Sequence, residues 1–395
     1  MRQVGPLVVR TLTTPAAVPH SCAASLRERT RLQWWIGDGG DPAQLVADFL
    51  AEHALPGPTG LLPATPARHG HLDVCGAALF VSAAAGARMI GAPTGPPSPA
   101  PAVPDLVAVV YEHHQPRTGP RTPPAPWQLG PWQPSWTPHQ HAAAVDTARA
   151  AIGRGDIYQV NIVGHSSAPY AGDPLPALTR LGALPGARYA GTLTGAGWAI
   201  GCASPETLLE TNGRRLITRP IKGTRPATGQ GRRELLASAK ERAEHIMIVD
   251  LERNDLARVA RTGSVRVDEL YAVRRWCDLW QAESTISADL DDGVDLADLL
   301  RAVCPGGSVT GAPKLAALTQ IAALEPVGRG VSMGAFGWVG PGHVDLGLTI
   351  RTVAVDTDRV HLWAGGGITW GSDPSAEVAE AAAKAAPVRA ALAGP

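Results

Sequence analysis

The chain has 395 residues, 45% of them hydrophobic, which is enough for a large buried core and for two or three domain-sized units. Lysine plus arginine and aspartate plus glutamate both total 35, which argues against a nucleic-acid binder, because such proteins usually carry a basic excess. No stretch of about 18 or more apolar residues occurs, so no membrane span is expected. The five cysteines are widely spaced without a CxxC pair, which argues against a disulfide framework or zinc site and favours the cytoplasm.

The N-terminal third of the chain changes composition near residue 93. Before that point one helix is predicted at 42–53 and a strand-rich part at 77–90. The part that follows, to residue 138, is rich in proline, which is excluded from helix interiors and central strands. It is therefore predicted to be a long surface connection with one strand at 106–111. The predicted division of the chain is 1–92, 93–138 and 139–395.

The remainder of the chain mixes helices with hairpin-like strand pairs and lacks steady βαβ alternation. This mixture predicts an α+β fold with largely antiparallel sheets. The predicted helices are 139–154, 234–258, 295–303, 314–324 and 374–392. The predicted strands are 158–165, 197–202, 207–211, 215–217, 335–338, 343–355 and 359–363.

The predicted strand at 343–355 has apolar residues at alternate positions from Val344 to Ile350, and these should face the core. Arg351 belongs to the opposite face of this strand. From the strand alone, a solvated arginine on the sheet face is the favoured interpretation.

The last predicted helix begins with an Asp-Pro pair, which suits a helix cap and a first helical position. Glu377, Glu380 and Lys384 share one of its faces, and two carboxylates one turn apart can hold a hard divalent cation. The alternative is an ordinary exposed Glu–Lys pair. The glycine run at 365–367, directly before the helix, favours a binding site, since it allows backbone N–H groups to approach an anion, although a tight turn is the alternative.

The segment at 240–258 combines an apolar stripe with many charged residues, which are costly to bury unless paired. One interpretation is a half-exposed helix with a network of ion pairs. The other is that Glu244 supplies a metal ligand facing Glu377 and Glu380.

Two loops carry further candidates. The segment 304–314 is rich in glycine and hydroxyl groups and leads into a helix, so Ser308 and Thr310 are predicted to belong to an anion site, although a plain turn is the alternative. The segment 218–225 places Lys222 between a proline and a glycine. This lysine could bind substrate by charge alone, and to act as a nucleophile it needs a lowered pKa.

Seven segments resemble, in the same order, the chorismate-utilising enzymes, which include anthranilate synthase component I, aminodeoxychorismate synthase component I and the isochorismate and salicylate synthases. The resemblance runs from about residue 139 to the C-terminal end. It implies an α+β fold of two large, mostly antiparallel β-sheets packed together with flanking helices. The segments are DIYQVN at 156–161, SPE at 204–206, PIKGT at 220–224, AEHIMIVDLERNDL at 243–256, PGGSVTGAPK at 305–314, IRT at 350–352 and the glycine-rich run with the last helix at 364–384.

The resemblance also implies roles around a bound chorismate. Glu244 and Glu380 would ligate Mg²⁺, with Glu377 assisting directly or through water. Glu206 would be the acid/base residue that helps the C4 hydroxyl leave, and Arg351 would hold the enolpyruvyl carboxylate. The remaining substrate-binding candidates are Thr224, Gly366, Gly367, Lys384, Gln159, Ser308 and Thr310.

Two positions distinguish members of this family. Gln159 stands where members that activate water have a lysine, and Lys222 stands where anthranilate synthases usually have alanine. The chain therefore resembles the aminodeoxychorismate synthases of para-aminobenzoate and folate biosynthesis, which aminate chorismate to 4-amino-4-deoxychorismate with ammonia from a separate glutamine amidotransferase subunit. Anthranilate synthase is one alternative. A non-catalytic chorismate-binding homologue is another, because Ser332 and Gln281 replace a tyrosine and a histidine common in the family.

Overall fold

The computed structural model describes residues 25–55, 74–114 and 125–394. Within these residues the strands form two large sheets with antiparallel pairing, and helices flank them. The α+β fold predicted from the sequence is confirmed. None of the described helices is both long and apolar enough to cross a membrane.

The larger sheet has ten strands and contains both early and late parts of the chain. β12 (Arg266–Trp276) pairs with only one member of the sheet, β13. In order across the sheet, the other strands are β1 (Ser25–Trp34), β3 (Leu106–His114), β2 (Val74–Val81), β15 (Ala335–Gly340), β16 (His343–Leu348), β9 (Thr207–Asn212), β10 (Arg215–Arg219), β13 (Leu279–Asp289) and β11 (Ile221–Pro226).

The second sheet has eight strands, with β6 as its longest member. Two short strands, β4 (Gln128–Leu129) and β5 (Gln133–Pro134), pair with β6 outside the main order. That order is β14 (Gly311–Ala312), β6 (Gln159–Ala171), β18 (Arg359–Ile368), β17 (Thr352–Asp356), β8 (Trp198–Ser204) and β7 (Tyr189–Gly195).

The main hydrophobic core lies between the two sheets. Leu193 and Ile200 of the eight-stranded sheet are fully or nearly fully buried in one cluster with Leu209 and Leu346 of the ten-stranded sheet. This burial removes apolar surface from water and so fixes the sheets face to face. The helices are α1 (Pro42–Glu52), α2 (Ala83–Met89), α3 (Pro138–Gly153), α4 (Leu175–Gly182), α5 (Gly229–Ala237), α6 (Ala239–Ala257), α7 (Leu296–Val303), α8 (Lys314–Leu324) and α9 (Pro374–Ala393).

Two predictions of continuous elements were wrong because a serine caps a helix at the break. The strand-rich part at 77–90 ends with β2, and α2 follows because the Ser82 side chain accepts a hydrogen bond from the N–H of Ala85. The single helix at 234–258 is two helices, since Ser238 leaves helical geometry and caps α6 through the N–H of Glu241. Such caps satisfy backbone donors at the start of a helix.

The predicted strand at 343–355 was also wrong as one element. It is divided into β16 and β17, which belong to different sheets, so the chain crosses between the sheets at 349–351. Arg351 has a φ of +54° at this crossing, a value that non-glycine residues adopt rarely. The alternation of apolar residues therefore does not extend to Arg351.

The proline-rich part at 93–138 holds more structure than the single predicted strand. β3 lies between β1 and β2 in the large sheet, and β4 and β5 follow after the described residues resume at 125. Because β2 also pairs with β15, this sheet runs across the division predicted from composition. The hairpin of β12 and β13 was not predicted, since most of β12 is exposed and charged and lacks the alternation of a half-buried strand.

Candidate active site

A cleft opens where α6 and α9 face β11 and the end of β18, and together with the open solvent at its mouth it encloses about 930 Å³. It is lined by all of the residues predicted for the site except Gln159 and Thr310. The sequence candidates brought together here are Glu206, Lys222, Thr224, Glu244, Ser308, Arg351, Gly366, Gly367, Glu377, Glu380 and Lys384.

Glu206 follows β8 and is only 3% exposed. Its Oε1 accepts hydrogen bonds from the hydroxyl of Ser308 at 2.6 Å and from the N–H of Ile221 at 3.3 Å. Burial raises the pKa of this carboxyl to about 7, and the nearby Lys222 and Arg351 oppose the rise. A carboxyl that exchanges its proton near neutral pH is suited to general acid or base chemistry.

Lys222 reaches the cleft because β11 is irregular at this point. The register of β11 against β13 shifts between Lys222 and Thr224, and Gly223 has a φ of +81°. Burial, and after it the charge of Lys384, lowers the pKa of the Lys222 ammonium, whereas Glu244, Glu206 and Glu380 favour its charged form. A lysine with a lowered pKa holds more of its amine in the neutral, nucleophilic form.

The glycine run that ends β18 forms one wall of the cleft. A Cβ atom on Gly367 would lie 2.3 Å from Nζ of Lys222, and one on Gly366 would lie 3.0 Å from Oε2 of Glu377 and 3.7 Å from Oε1 of Glu380. Any other residue at these two positions would therefore displace charged side chains of the site. Close approach therefore favours glycine at both positions.

Gln159 and Thr310 lie outside the lining of the cleft. The hydroxyl of Thr310 donates to the carbonyl of Gly306 at 2.8 Å and closes the 304–310 loop. The Gln159 amide lies 2.8 Å from the Cβ position of Gly367, and its oxygen and nitrogen have no hydrogen-bond partner within the described ranges. Gln159 is thus directly behind the glycine wall.

The three candidate metal ligands all line the cleft but are held by other groups. Oε1 of Glu244 accepts a hydrogen bond from the hydroxyl of Thr369 at 2.7 Å, while Glu380 pairs with Lys384 at 2.5 Å. Burial raises the pKa of Glu377, and the adjacent Glu380 adds to this rise. In the part of the chain that the structure describes, no three His, Cys, Asp or Glu side chains come together closely enough to hold a metal.

Arg351 is 7% exposed, so the sequence-based expectation of a solvated arginine was wrong. The guanidinium lines the cleft, and its Cζ lies 4.2 Å from the centroid of the Trp276 ring. Its Nη1 has no hydrogen-bond partner within the described residues, and burial lowers its pKa to about 10. A buried cation without a partner indicates a binding site for an anion.

Sequence reasoning missed two further groups of cleft residues. Asn161 lines the cleft, and its buried Oδ1 has no partner among the described residues. It lies two positions after Gln159 on β6, so strand periodicity could have identified it. Lys240 and Glu241 line the cleft from α6, four and three residues before Glu244, which is the helical spacing of one face.

Comparison with known proteins gives the family. The sequence profile of the chorismate binding enzymes matches residues 80–390. The chain is 41% identical over 257 residues to anthranilate synthase component 1 of Streptomyces coelicolor, covering 63% of this chain and 50% of that protein. It is 36% identical over 274 residues to aminodeoxychorismate synthase component 1 of Bacillus subtilis, covering 68% of this chain and 58% of that protein.

The chain therefore spans between about half and three fifths of the length of these relatives. Its fold is similar to the crystal structure of anthranilate synthase component I from Streptococcus pneumoniae, with a TM-score of 0.76 and 24% identity over 98% of this chain and 96% of that one. The relatives carry both enzyme names, so they give the family and leave the individual member open. On the extent of the profile match, the chain belongs to the family of chorismate binding enzymes.

Proposed function

We propose that this chain catalyses the Mg²⁺-dependent amination of chorismate by ammonia to 4-amino-4-deoxychorismate. The observation that carries the proposal is the position of Lys222. Its amine, with a lowered pKa, lies in the same cleft as Glu206, whose carboxyl has a pKa of about 7. This pair combines a nucleophile with a proton donor at one site.

The proposed reaction has two displacements. The neutral amine of Lys222 attacks C2 of the ring, both double bonds of the ring diene shift by one position, and the C4 hydroxyl leaves as water with the proton of Glu206. Glu206 then takes a proton from the attached lysine nitrogen. Ammonia then attacks C4, both double bonds shift back, and the bond from C2 to the lysine nitrogen breaks as Glu206 protonates that nitrogen. A proton from the new C4 amine restores Glu206, and the enolpyruvyl ether stays intact. The sum is chorismate plus ammonia giving the 4-amino compound and water.

Substrate binding is proposed to use Arg351, which has no ion pair among the described residues, and Lys384, which is paired with Glu380. Arg351 would receive the enolpyruvyl carboxylate together with backbone N–H groups of Gly366 and Gly367. Lys384, whose Nζ also donates to the carbonyl of Gly365 at 2.9 Å, and Thr224 supply further contacts. A dianionic substrate requires such positive groups, because its charges lose their water on entering the cleft.

Mg²⁺ is part of the proposal: Glu244, Glu377 and Glu380, which are not gathered closely enough for a metal in the described structure, would converge on it as ligands. Their oxygen atoms are the ligand type that this ion prefers. When bound, the ion would neutralise a ring carboxylate of the substrate. Lys384 and Mg²⁺ would share or compete for Glu380, because that carboxylate is already paired with the lysine.

Titration calorimetry tests the metal site without relying on turnover. Glu380→Ala should abolish both Mg²⁺ binding and Mg²⁺-dependent chorismate binding, because it removes a carboxylate from the cleft. Glu234→Ala, an exposed glutamate of α5, is the matched control and should bind as wild type does. Normal Mg²⁺ affinity and activity in Glu380→Ala would refute the assignment.

Ammonia is proposed to come from a separate glutamine amidotransferase subunit. The relatives named component 1 support a partner for this chain. The purified chain should accordingly use ammonium at high pH but not glutamine. Glutamine-dependent product from this chain alone would contradict the proposal.

The alternative reaction is that of anthranilate synthase, favoured by the relative of 41% identity with that name. The two reactions differ in the fate of the enolpyruvyl group. Incubation of the protein with chorismate, ammonium and Mg²⁺, followed by mass identification, should give an amino product that retains the group. Anthranilate and free pyruvate would establish the alternative, and unconsumed chorismate would indicate a non-catalytic homologue.

A further inference from the structure

Trp276 lies directly behind the arginine of the cleft. It ends β12, is 1% exposed and does not line the cleft. The Arg351 guanidinium lies 4.2 Å from its ring centroid, against 4.7, 5.1 and 5.9 Å for the other cation–aromatic contacts of the described residues. This distance is within the range at which the face of an indole attracts a cation.

The indole is held firmly by its surroundings. The adjacent Cys277 N–H donates to the carbonyl of Pro185 at 3.0 Å, which ties the tip of the β12–β13 hairpin to the loop after α4. Trp276 is packed in a buried cluster with Leu178 of α4 and Val353 of β17. The indole thus extends from the ten-stranded sheet into the core beside the eight-stranded sheet. It lies there against β17, the strand that begins directly after Arg351.

Apolar packing alone does not explain a tryptophan here. Its Nε1 is buried with no hydrogen-bond partner among the residues described, whereas a buried indole N–H usually finds one. A leucine would fill core space without that unpaired donor. What the indole adds is a flat aromatic face against the guanidinium.

That face leaves the donors of the guanidinium free. No side chain or carbonyl within the described ranges accepts a hydrogen bond from Arg351, and Nη1 is buried without a partner. Ser332, buried with its hydroxyl 3.4 Å from the carbonyl of Thr349, does not reach the cleft. The stack holds the arginine by its face, whereas a carboxylate binds to its N–H edge.

We propose that Trp276 is a positioning residue, which holds the Arg351 guanidinium with its N–H edge directed at a carboxylate of the substrate. The identity of that substrate rests on the proposed function, whereas the contact between the two side chains does not. The stack supports a guanidinium for which no described residue accepts a hydrogen bond from Nη1.

Steady-state kinetics with chorismate tests the proposal. Trp276→Leu should raise KM about two- to thirty-fold, the range from an exposed to a desolvated cation–aromatic contact, with a smaller change in kcat. Trp276→Phe, which keeps an aromatic face, should recover most of the affinity. Trp132→Leu is the matched control, because Trp132 stacks on Arg389 at 5.1 Å and neither residue lines the cleft. It should leave KM unchanged.

Stepwise fluorination of Trp276 guards against variants that fail to fold, because it weakens the charge on the ring face and barely changes its shape. KM should rise with each added fluorine, and a flat series would overturn the proposal.

Labelling with phenylglyoxal, mapped at Arg351 by peptide mass, needs no substrate and should be faster in Trp276→Leu than in wild type or Trp132→Leu. If wild type makes no amino product but this labelling difference is found, the proposed function fails and the positioning role stands. Equal labelling and equal KM refute the positioning role alone.

Discussion

Arg329 and Arg351 are each 7% exposed, yet their surroundings are opposite. Arg329 donates to both carboxylate oxygens of Glu325 and to the carbonyls of Val309 and Asn161. Arg351 has no hydrogen-bond acceptor among the described residues and rests on an indole face. Burial is the same for both, so it is the pairing of donors that separates a structural arginine from one kept for a ligand.

Lys314 and Lys222 differ from each other in the same way as these two arginines. Lys314 lies beside the 304–310 loop and pairs with the buried Asp255 at 2.6 Å. Lys222, on the cleft side of that loop, has no ion pair within the described residues. The cations behind the loop are therefore paired with carboxylates, whereas Lys222 and Arg351 of the cleft have no ion pair among the described residues.

The largest expected effect is on turnover in Lys222→Ala. If the amine is the nucleophile, amination should slow about 10²- to 10⁴-fold, while the free energy of unfolding stays close to that of wild type because no ion pair is lost. The remaining product should shift toward the 2-amino compound or anthranilate, since ammonia can then attack C2 directly. Rates and product masses from chorismate with ammonium and Mg²⁺ give the result.

Wild type without ammonium supplies the complementary observation for this lysine. A ring adduct on Lys222 should accumulate and be detected by intact mass and peptide mapping. The absence of an adduct together with a nearly normal rate in Lys222→Ala would show that Lys222 is not a nucleophile and acts only by its charge in binding.

The next largest effect is on stability in Arg329→Met. Glu325 would be left as an uncompensated buried carboxylate, so the free energy of unfolding should fall by about 3–5 kcal/mol. Denaturant titration measures this loss. A smaller loss would mean that water reaches Glu325 and that this region is less closed than its pairing indicates.

Arg351→Met should lose affinity for the substrate but not stability, the opposite of Arg329→Met. Loss of the buried cation should weaken chorismate binding by about 2–5 kcal/mol, as expected for removal of one partner of a desolvated charge pair. The stability to denaturant should stay the same or rise, because an unpaired buried charge is removed. Calorimetric affinity and denaturant titration of the same sample decide it, and a clear loss of stability would show that Arg351 also supports the fold.

The smallest effect concerns the pH dependence of stability. The pKa of Glu206 is about 7 in the folded protein against its ordinary 4.5, so between these values the folded state keeps a proton that the unfolded state loses. The proton on Glu206 therefore stabilises the folded state at low pH, and this stabilisation is lost as pH rises from 4.5 to about 7. Wild type should lose about 2 kcal/mol more stability between pH 5 and 7 than Glu206→Gln does.

Glu252, behind the same loop, provides the comparison for Glu206. Burial and then Asp255 raise its pKa to about 8. Glu252→Gln should therefore reduce the loss of stability with rising pH over a range that extends to a higher pH than the range for Glu206. Denaturant titrations of both variants at several pH values measure the two windows. Parallel curves for wild type and both variants would show that neither carboxyl is protonated near neutral pH.

Part of the site could be predicted because its residues are close in sequence. Glu377, Glu380 and Lys384 share a face of α9 through helical spacing, and Asp373 caps that helix through the N–H of Ala376. The glycines before α9 carried a local signal of close approach, and their Cβ positions do lie against Lys222 and Glu377. Their roles toward a substrate remain predictions.

Arg351 shows where reasoning from strand periodicity failed. Alternation placed it on an exposed face, but the chain leaves one sheet and enters the other at this residue. Trp276 gave no signal at all, because it lies on a largely exposed, charged strand far away in the chain. Contacts of this kind depend on how two sheets pack, and no local pattern encodes them.

The sequence by itself determined the class of fold, the family and most of the predicted residues that line the cleft, because periodicity, caps and short motifs are local properties. The tertiary structure alone decided which charges are neutralised and which remain available. Arg329 and Arg351 are the same residue type at the same burial, and only the packing around them gives one four acceptors and the other an indole face. Pairing of buried charge is a non-local property, since its partners come from distant elements that meet only after the sheets have packed.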